Sequence, residues 1–378
     1  MSTFTIDLCT SSWAKIAEVT SGVFDGVVRD LAVGEWRLSG IVDGVDFQAG
    51  YTIADVDAVR VVRDAQIVFA GTVNPIAAGG AGGLELVDSA EGVRYTLTGP
   101  DLWSVLASRV AYPTPSTGPP WADSHDVRTG LASTCVAGYI TANAGVSASV
   151  DRAIPGLTVV DMLAGATGTW SARLQPLDQQ VARVCRDGGI TCRLSAEFDG
   201  SLTATLLPPV DRSASVVFSD QGDLVGIQRV TTPEAATFVI AGGQGNLTAR
   251  TFATAGAATG AARRERFSDQ SALSTSTEVG QSAASTLAAA AEVLTVRASI
   301  TDTAAAGAQY LQAYNVGDTI AIEIDNVRWP VVVQAVTVHV SPERAVIRPV
   351  LGPGVRNLVS GLLRDVAGLQ ARLDSTIA

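Results

Sequence analysis

The chain has 378 residues, of which 47% are hydrophobic, 17% charged and 6% aromatic, and it carries a net charge of −11. This length suggests roughly two to four domains, and the apolar fraction excludes an intrinsically disordered chain. An acidic chain does not draw nucleic acid through its overall field. In chain order, Phe4, Ile6 and Leu8 alternate with polar residues, the period of a strand with one buried face. Glu35–Val42 reads as a second strand. Two β-branched runs between 59 and 73 flank Arg63, Asp64, Ala65 and Gln66, which predicts a tight hairpin. Residues 93–98 alternate again, so the first hundred residues are expected to be mostly β.

Beyond Gly99 and Pro100 the pattern changes. Asp101 is placed to cap a short helix carrying Leu102, Val105 and Leu106. Four prolines between Tyr112 and Trp121 exclude regular helix or central strand there. Helical spacing over 126–142 (Val127, Leu131, Cys135, Val136, Tyr139, Ile140) and over 176–187 predicts two helices, the second stopped by Gly188 and Gly189. Strand patterns return at 202–207, 214–218 and 238–241. Residues 270–294 are compatible with helix. A turn and strand follow at 315–324. A closing hairpin joins Trp329–Val340 to Arg344–Val350 across Ser341, Pro342 and Glu343.

The last residues differ. Val355, Leu358, Leu362, Val366, Leu369, Leu373 and Ile377 approximate a heptad seam. A lone helix of this length is marginal in water, so the stripe needs a partner. Docking on the chain's own body and self-association around a symmetry axis are both open. The candidate oligomer-interface residues are Leu358, Leu362, Val366, Leu369 and Leu373.

Candidate chemistry is scarce. There are two histidines, His125 and His339. His339 falls in an alternating strand and is expected in a core or on a sheet surface. His125, between Asp123 and Asp126, is expected in a solvated polar loop. Cys9, Cys135, Cys185 and Cys192 lack zinc-ligand spacing and are expected to be buried thiols, although Cys185 and Cys192 could approach one another. Gly242, Gly243 and Gly245 follow a strand, but no third glycine stands in register for a dinucleotide loop. A glycine-rich bend explains them better. Arg263, Arg264 and Arg266 are interrupted by Glu265 and read as a solvated surface. No apolar run is long enough for a membrane helix, and no secretory signal pattern is visible. Catalytic residues, cofactors and metals are not expected, nor is stable membrane insertion.

Several ordered segments carry a resemblance. They are Leu97–Pro115 (LTGPDLWSVLASRVAYPTP), Val127–Gly130, Tyr139–Gly145, Arg152–Leu157, Pro209–Ala214 and Phe238–Gly245. In this order and spacing the chain resembles the ReqiPepy-type siphovirus minor tail protein family of actinobacterial phages, from about residue 4 to 352. The resemblance implies an α+β, β-rich fold, with β-barrel-like hub domains, a mixed α/β middle region and a C-terminal helix. The expected segments are 1–100, 101–212, 213–352 with a helical insertion, and 353–378.

The resemblance also implies a structural tail-tip or baseplate hub protein that forms a homotrimeric ring. Its expected neighbours are the distal tail protein, other tail-tip proteins and the tape measure protein, with DNA only in transit. Assembly is expected in the host cytoplasm, with any peptidoglycan-cleaving module on a separate protein. A carbohydrate-binding adhesin would require exposed tryptophans in a groove. A cell-wall hydrolase would require two close carboxylates in a cleft.

Overall fold

The computed structural model describes residues 3–73, 83–115, 119, 121, 123–219, 224–271, 273–291, 293–300 and 308–352. The strands of the first hundred residues are β1 (Phe4–Cys9), β2 (Lys15–Val19), β3 (Gly22–Arg29), β4 (Glu35–Ile41), β5 (Val45–Phe47), β6 (Ala58–Arg63), β7 (Gln66–Thr72), β8 (Gly83–Ser89) and β9 (Gly92–Pro100). A short helix, α1 (Ser104–Ala107), leads into β10 (Asp126–Leu131), α2 (Ala132–Asn143), β11 (Leu157–Asp161) and β12 (Thr167–Ala172). Then come α3 (Leu177–Gly188), β13 (Thr191–Ala196) and β14 (Leu202–Leu207). The last part holds β15 (Val217–Ser219), β16 (Leu224–Thr232), β17 (Phe238–Gly242), β18 (Phe252–Ala255) and β19 (Glu265–Asp269). It ends with α4 (Ser276–Ala289), β20 (Val293–Ile300), β21 (Thr319–Ile324), β22 (Val327–Val340) and β23 (Ala345–Gly352). The β-rich α+β class expected from the sequence is the one observed.

Two sheets dominate. One has the order β5-β2-β1-β6-β7, and the other β15-β21-β22-β3-β4-β9-β8 with β23 also on β22. The length of β22 explains how strands from the early and late parts of the chain join one sheet. Its first half pairs β21, its second half pairs β3 from Ala335↔Arg29 to Val340↔Phe24, and β23 pairs with it as well. The two sheets share one apolar core. Leu8, Val59 and Phe69 come from the five-stranded sheet, and Phe24, Leu38, Leu97 and Val338 from the larger one. Phe24 stacks on Trp36 at 6.1 Å and meets the edge of Phe69 at 5.1 Å. Such aromatic pairs add about 0.5–1.5 kcal/mol beyond burial.

The predicted hairpin forms between β6 and β7. Asp64 and Ala65 both have positive φ, the geometry that follows the right-handed twist of two paired strands. The closing hairpin, β22 with β23, also forms as expected.

The middle body packs α2 and α3 against β10–β12 and the sheet β11-β14-β13, around Val136, Tyr139, Trp170, Val181 and Leu206. Helix α3 matches its expected span, and Gly189 caps it in the left-handed conformation. The expected helix over 126–142 is corrected. Residues 126–131 form β10, paired with β12 from Asp126↔Ala172 to Leu131↔Thr167, and α2 starts at Ala132. Val127 fits a helical stripe in the sequence, but a cross-strand partner some forty residues away claims the segment. The expected strand at 214–218 also shrinks. Ser215 and Val216 donate to the Arg212 carbonyl in a turn, which leaves Val217–Ser219 as strand.

In the last part, α4 is fixed by a capping box. Glu278 N–H donates to Thr275 Oγ1 at 3.2 Å, and Thr275 N–H donates to Glu278 Oε2 at 3.0 Å. Its Val279 and Ala283 pack on Val239 and Ala241 of β17, one face of the sheet β18-β17-β19. The glycine-rich bend leaves β17 at Gly242 and returns as β18, with no helix of the kind a dinucleotide loop would open.

Candidate functional site

The predicted interface residues Leu358, Leu362, Val366, Leu369 and Leu373 lie outside the described residues. Among the described residues, no group of three or more His, Cys, Asp or Glu is arranged to hold a metal. No helix among them is long and apolar enough to cross a membrane. All four cysteines are buried thiols. Burial pushes the Cys9 thiol up to about 11 and the Cys192 thiol up to about 12, so neither is a thiolate near neutrality. His339 sits on the outer face of the larger sheet, its Nδ1 2.8 Å from Asp25 Oδ1 on the neighbouring strand. His125 corrects the expectation of a solvated loop. It is buried, with Nδ1 3.0 Å from Ser124 Oγ. Trp13, Trp36, Trp103 and Trp170 are buried in the cores, Trp329 is half-buried against one of them, and half-buried Trp121 meets the Tyr112 ring at 5.0 Å.

Charged residues concentrate where the two large sheets meet the middle body. A cavity of about 400 Å³ opens there between β7 and β13, lined by Val68, Phe69, Trp103, Leu194, Arg29 and Arg193 among others. Asp318, fully buried, accepts from Arg193 of β13, from Arg212 Nε at 3.0 Å and from the Asn315 N–H at 2.8 Å. Arg60 of β6 reaches Asp7 at 3.4 Å and lies over the Phe198 ring at 5.1 Å. Arg63 donates to the Tyr310 carbonyl. Asp30 accepts from Thr191 Oγ1 at 3.1 Å. Asp101 is fully buried in the turn before α1, where its Oδ1 accepts from the Trp103 N–H at 3.1 Å. Burial pushes its carboxyl up to about 7, against the pull of the Gly34 and Trp103 N–H groups. These carboxylates hold strands and turns together. A buried charge left unpaired would be costly; Asp318 and Asp30 reach partners on β13 of the middle body, whereas Asp7 pairs with Arg60 inside its own sheet and Asp101 is held by main-chain N–H groups.

Among the described residues, two of the exposed apolar surfaces lie on sheets, and sequence reading missed both. The first is β8, which ends the larger sheet and pairs with β9. Its Leu84 and Leu86 stand opposite Leu97 and Tyr95, which are buried, while Leu86 and its neighbour Val87 are 50% and 51% exposed. The core therefore stops at β9. The second is the outer face of β18-β17-β19, where Phe252 and Phe267 are 55% and 53% exposed and Arg250 lies within 6 Å of both rings. The available sequence signal was the alternation Leu84-Glu85-Leu86 next to a turn, too short to distinguish from a loop.

A family model described as Siphovirus ReqiPepy6 Gp37-like protein matches residues 71–353. The chain belongs to that family. The Gp37-like family is one of siphovirus tail proteins, as the resemblance in the sequence implies. No curated protein matches the sequence. Three solved structures share the fold of this Gp37-like protein almost end to end. The prophage MuSo2 43 kDa tail protein from Shewanella oneidensis is 10% identical with a TM-score of 0.58, covering 94% of this chain and 99% of its own. The tail protein from Neisseria meningitidis MC58 is 13% identical with a TM-score of 0.55, covering 93% and 97%. Prophage tail protein gp18 from Listeria monocytogenes EGD-e is 10% identical with a TM-score of 0.52, covering 97% and 99%. At these identities the likeness is one of fold.

Proposed function

We propose that this Gp37-like protein is a baseplate hub-type minor tail protein at the distal tip of the phage tail, working as a homotrimeric ring. The ring joins the tail tube to the distal tail protein and other tail-tip components, meets the tape measure protein, and lets DNA pass during ejection. In this reading segments 1–100 and 213–352 build the ring, 101–212 lies beside it, and 353–378 carries the apolar seam at the symmetry axis. The protein acts through surfaces and not through catalysis. The observation that carries the reading is where the polar chemistry sits. The buried carboxylates and guanidiniums are spent on holding segments together, while apolar strand edge and sheet face are left in water. A net charge of −11 also suits a conduit that must not hold a polyanion.

Light scattering of the purified chain tests the ring, with a mass near three copies expected. Leu362→Asp is expected to lower that mass, and an unchanged mass removes the seam from the reading. Tagged protein imaged on purified particles tests the location. Label along the tube or on the capsid contradicts it.

A further inference from the structure

We infer that the body built from β17, β18, β19 and α4 is a hinged module, which undocks from the middle body about the β16–β20 ribbon with Asp187 and Glu278 as its latch. The motion lies within one copy and does not depend on the ring reading above.

The module has a core of its own. Val239 and Ala241 of β17 meet Val279 and Ala283 of α4, together with Ala236, Leu273 and Ala290. Among the described residues no apolar cluster joins this core to that of the middle body or to that of the two large sheets. The chain enters and leaves the module side by side, where the Ala235 N–H donates to the Ala290 carbonyl at 2.8 Å. Both crossings belong to one ribbon. β16 and β20 pair from Leu224↔Ile300 to Thr232↔Val293, and among the described residues neither pairs with another strand. β20 also lies against β23, which ties the ribbon to the larger sheet. For a body with its own core, inserted through two adjacent strands, relative motion is the default.

The module is held down by α4, which meets α3 and β12 through polar side chains. Gln281 lies over Gly168 of β12, its Nε2 2.6 Å from where a Cβ would stand. Ser285 and Glu278 act on Asp187, in the last turn of α3. Asp187 and Glu278 therefore set like charges on the two sides of the contact, and Glu278 is only 1% exposed. Gln281 Oε1 and Glu278 Oε1 are buried with no hydrogen-bond partner among the described residues. A buried acceptor without a donor is unfavourable, and lifting the module lets water supply one. Two unpaired acceptors and a like-charge pair thus oppose docking, and no shared apolar core holds it shut.

The like-charge pair makes the latch respond to protons. Burial raises the Asp187 carboxyl above its ordinary value of 3.8. Arg183, Ser285 and Arg186 pull it back, and the Glu278 charge raises it further. Arg183 and Arg186 belong to its own helix, Ser285 and Glu278 to α4, and β12 carries no titratable side chain. A carboxyl raised in the docked state favours that state at low pH and stops favouring it as pH rises through the raised value. Docking therefore weakens toward alkaline pH.

The test is double electron–electron resonance on the full chain. Spin labels are placed at Val127→Cys of β10 and Phe252→Cys of β18, both exposed positions, while the four native thiols are buried. Dilution with unlabelled chain restricts the reading to distances within one copy. The expected result is two distance populations, the longer one rising several-fold from acidic to alkaline buffer. Asp187→Asn, which removes the charge and keeps a donor, is expected to hold the shorter population at every pH. Gln281→Trp, too large for the space over Gly168, is expected to move most molecules to the longer population while hydrogen exchange shows β17 still protected. One distance kept by wild type at every pH would overturn the inference, and so would two populations whose ratio ignores pH and Asp187→Asn. A Gln281→Trp chain that keeps both β17 protection and the shorter distance would overturn it as well. Should that variant lose β17 protection, wild type and Asp187→Asn decide the outcome.

Discussion

Replacing Asp318 by alanine removes the carboxylate that ties the middle body to the larger sheet. Asp318 is 0% exposed, and it faces Arg193 and Arg212, whose side chains are 21% and 37% exposed. Breaking a fully buried pair by removing one partner costs about 3–5 kcal/mol, because the remaining charge is stranded. Here water partly rehydrates both guanidiniums, while the Asn315 N–H loses its acceptor. The expected loss is therefore ~2–3 kcal/mol for Asp318→Ala, and about half of that for Asp318→Asn, which keeps an acceptor in place. The assay is urea unfolding followed by tryptophan fluorescence, with hydrogen exchange read by mass spectrometry. Faster exchange should be confined to β13 and the turn before β21. The coupling is checked with Arg193→Met alone and combined with Asp318→Ala. Residues in one network should show a coupling of about 1–3 kcal/mol. Asp318→Ala within about 0.5 kcal/mol of wild type, or strictly additive losses, would refute the reasoning.

Three further outcomes follow from single positions. Asp101, ordinarily ionising at 3.8, does so in the fold at about 7, so the folded chain binds a proton there that the unfolded chain has lost. Stability from this group is full below pH 4 and falls as pH rises to about 7, by up to ~4 kcal/mol. The advantage of wild type over Asp101→Asn, measured by urea unfolding at several pH values, should shrink across that window. A growing advantage contradicts the sign. Phe24→Ala empties a site shared by both large sheets and should cost ~3–5 kcal/mol, while Phe24→Leu costs less. Ala65 holds φ +63 in the β6–β7 turn, so Ala65→Gly should raise stability by ~0.5–1 kcal/mol in the same measurement.

Much of this fold is legible wherever a local period meets a local stop signal. The alternation of Phe4, Ile6 and Leu8, the helix closed by Gly189 and the hairpins at Asp64–Ala65 and Ser341–Glu343 need no knowledge of distant residues. The ordered segments from Leu97 to Gly245 carried the family for the same reason, since order and spacing are properties of the chain itself. Where two elements compete, the sequence is silent. Val127 fits a helix and a strand equally, and only pairing with β12 decides between them. The interface candidates at 358–373 were read from a heptad period alone. By contrast, the exposed strand β8 has no marking in the sequence that sets it apart from the buried strands.

What the sequence determined by itself is the β-rich class, the scarcity of catalytic groups and the membership in a tail protein family. What tertiary structure decided is which strands are neighbours. β22 joins β3 across some three hundred residues, the carboxylate of Asp318 finds arginines from two other segments, and the core closes at β9 and leaves Leu86 in water. Periodicity fixes which side of an element is apolar, but burial depends on what packs against that side, and a strand pair has no period to announce its partner.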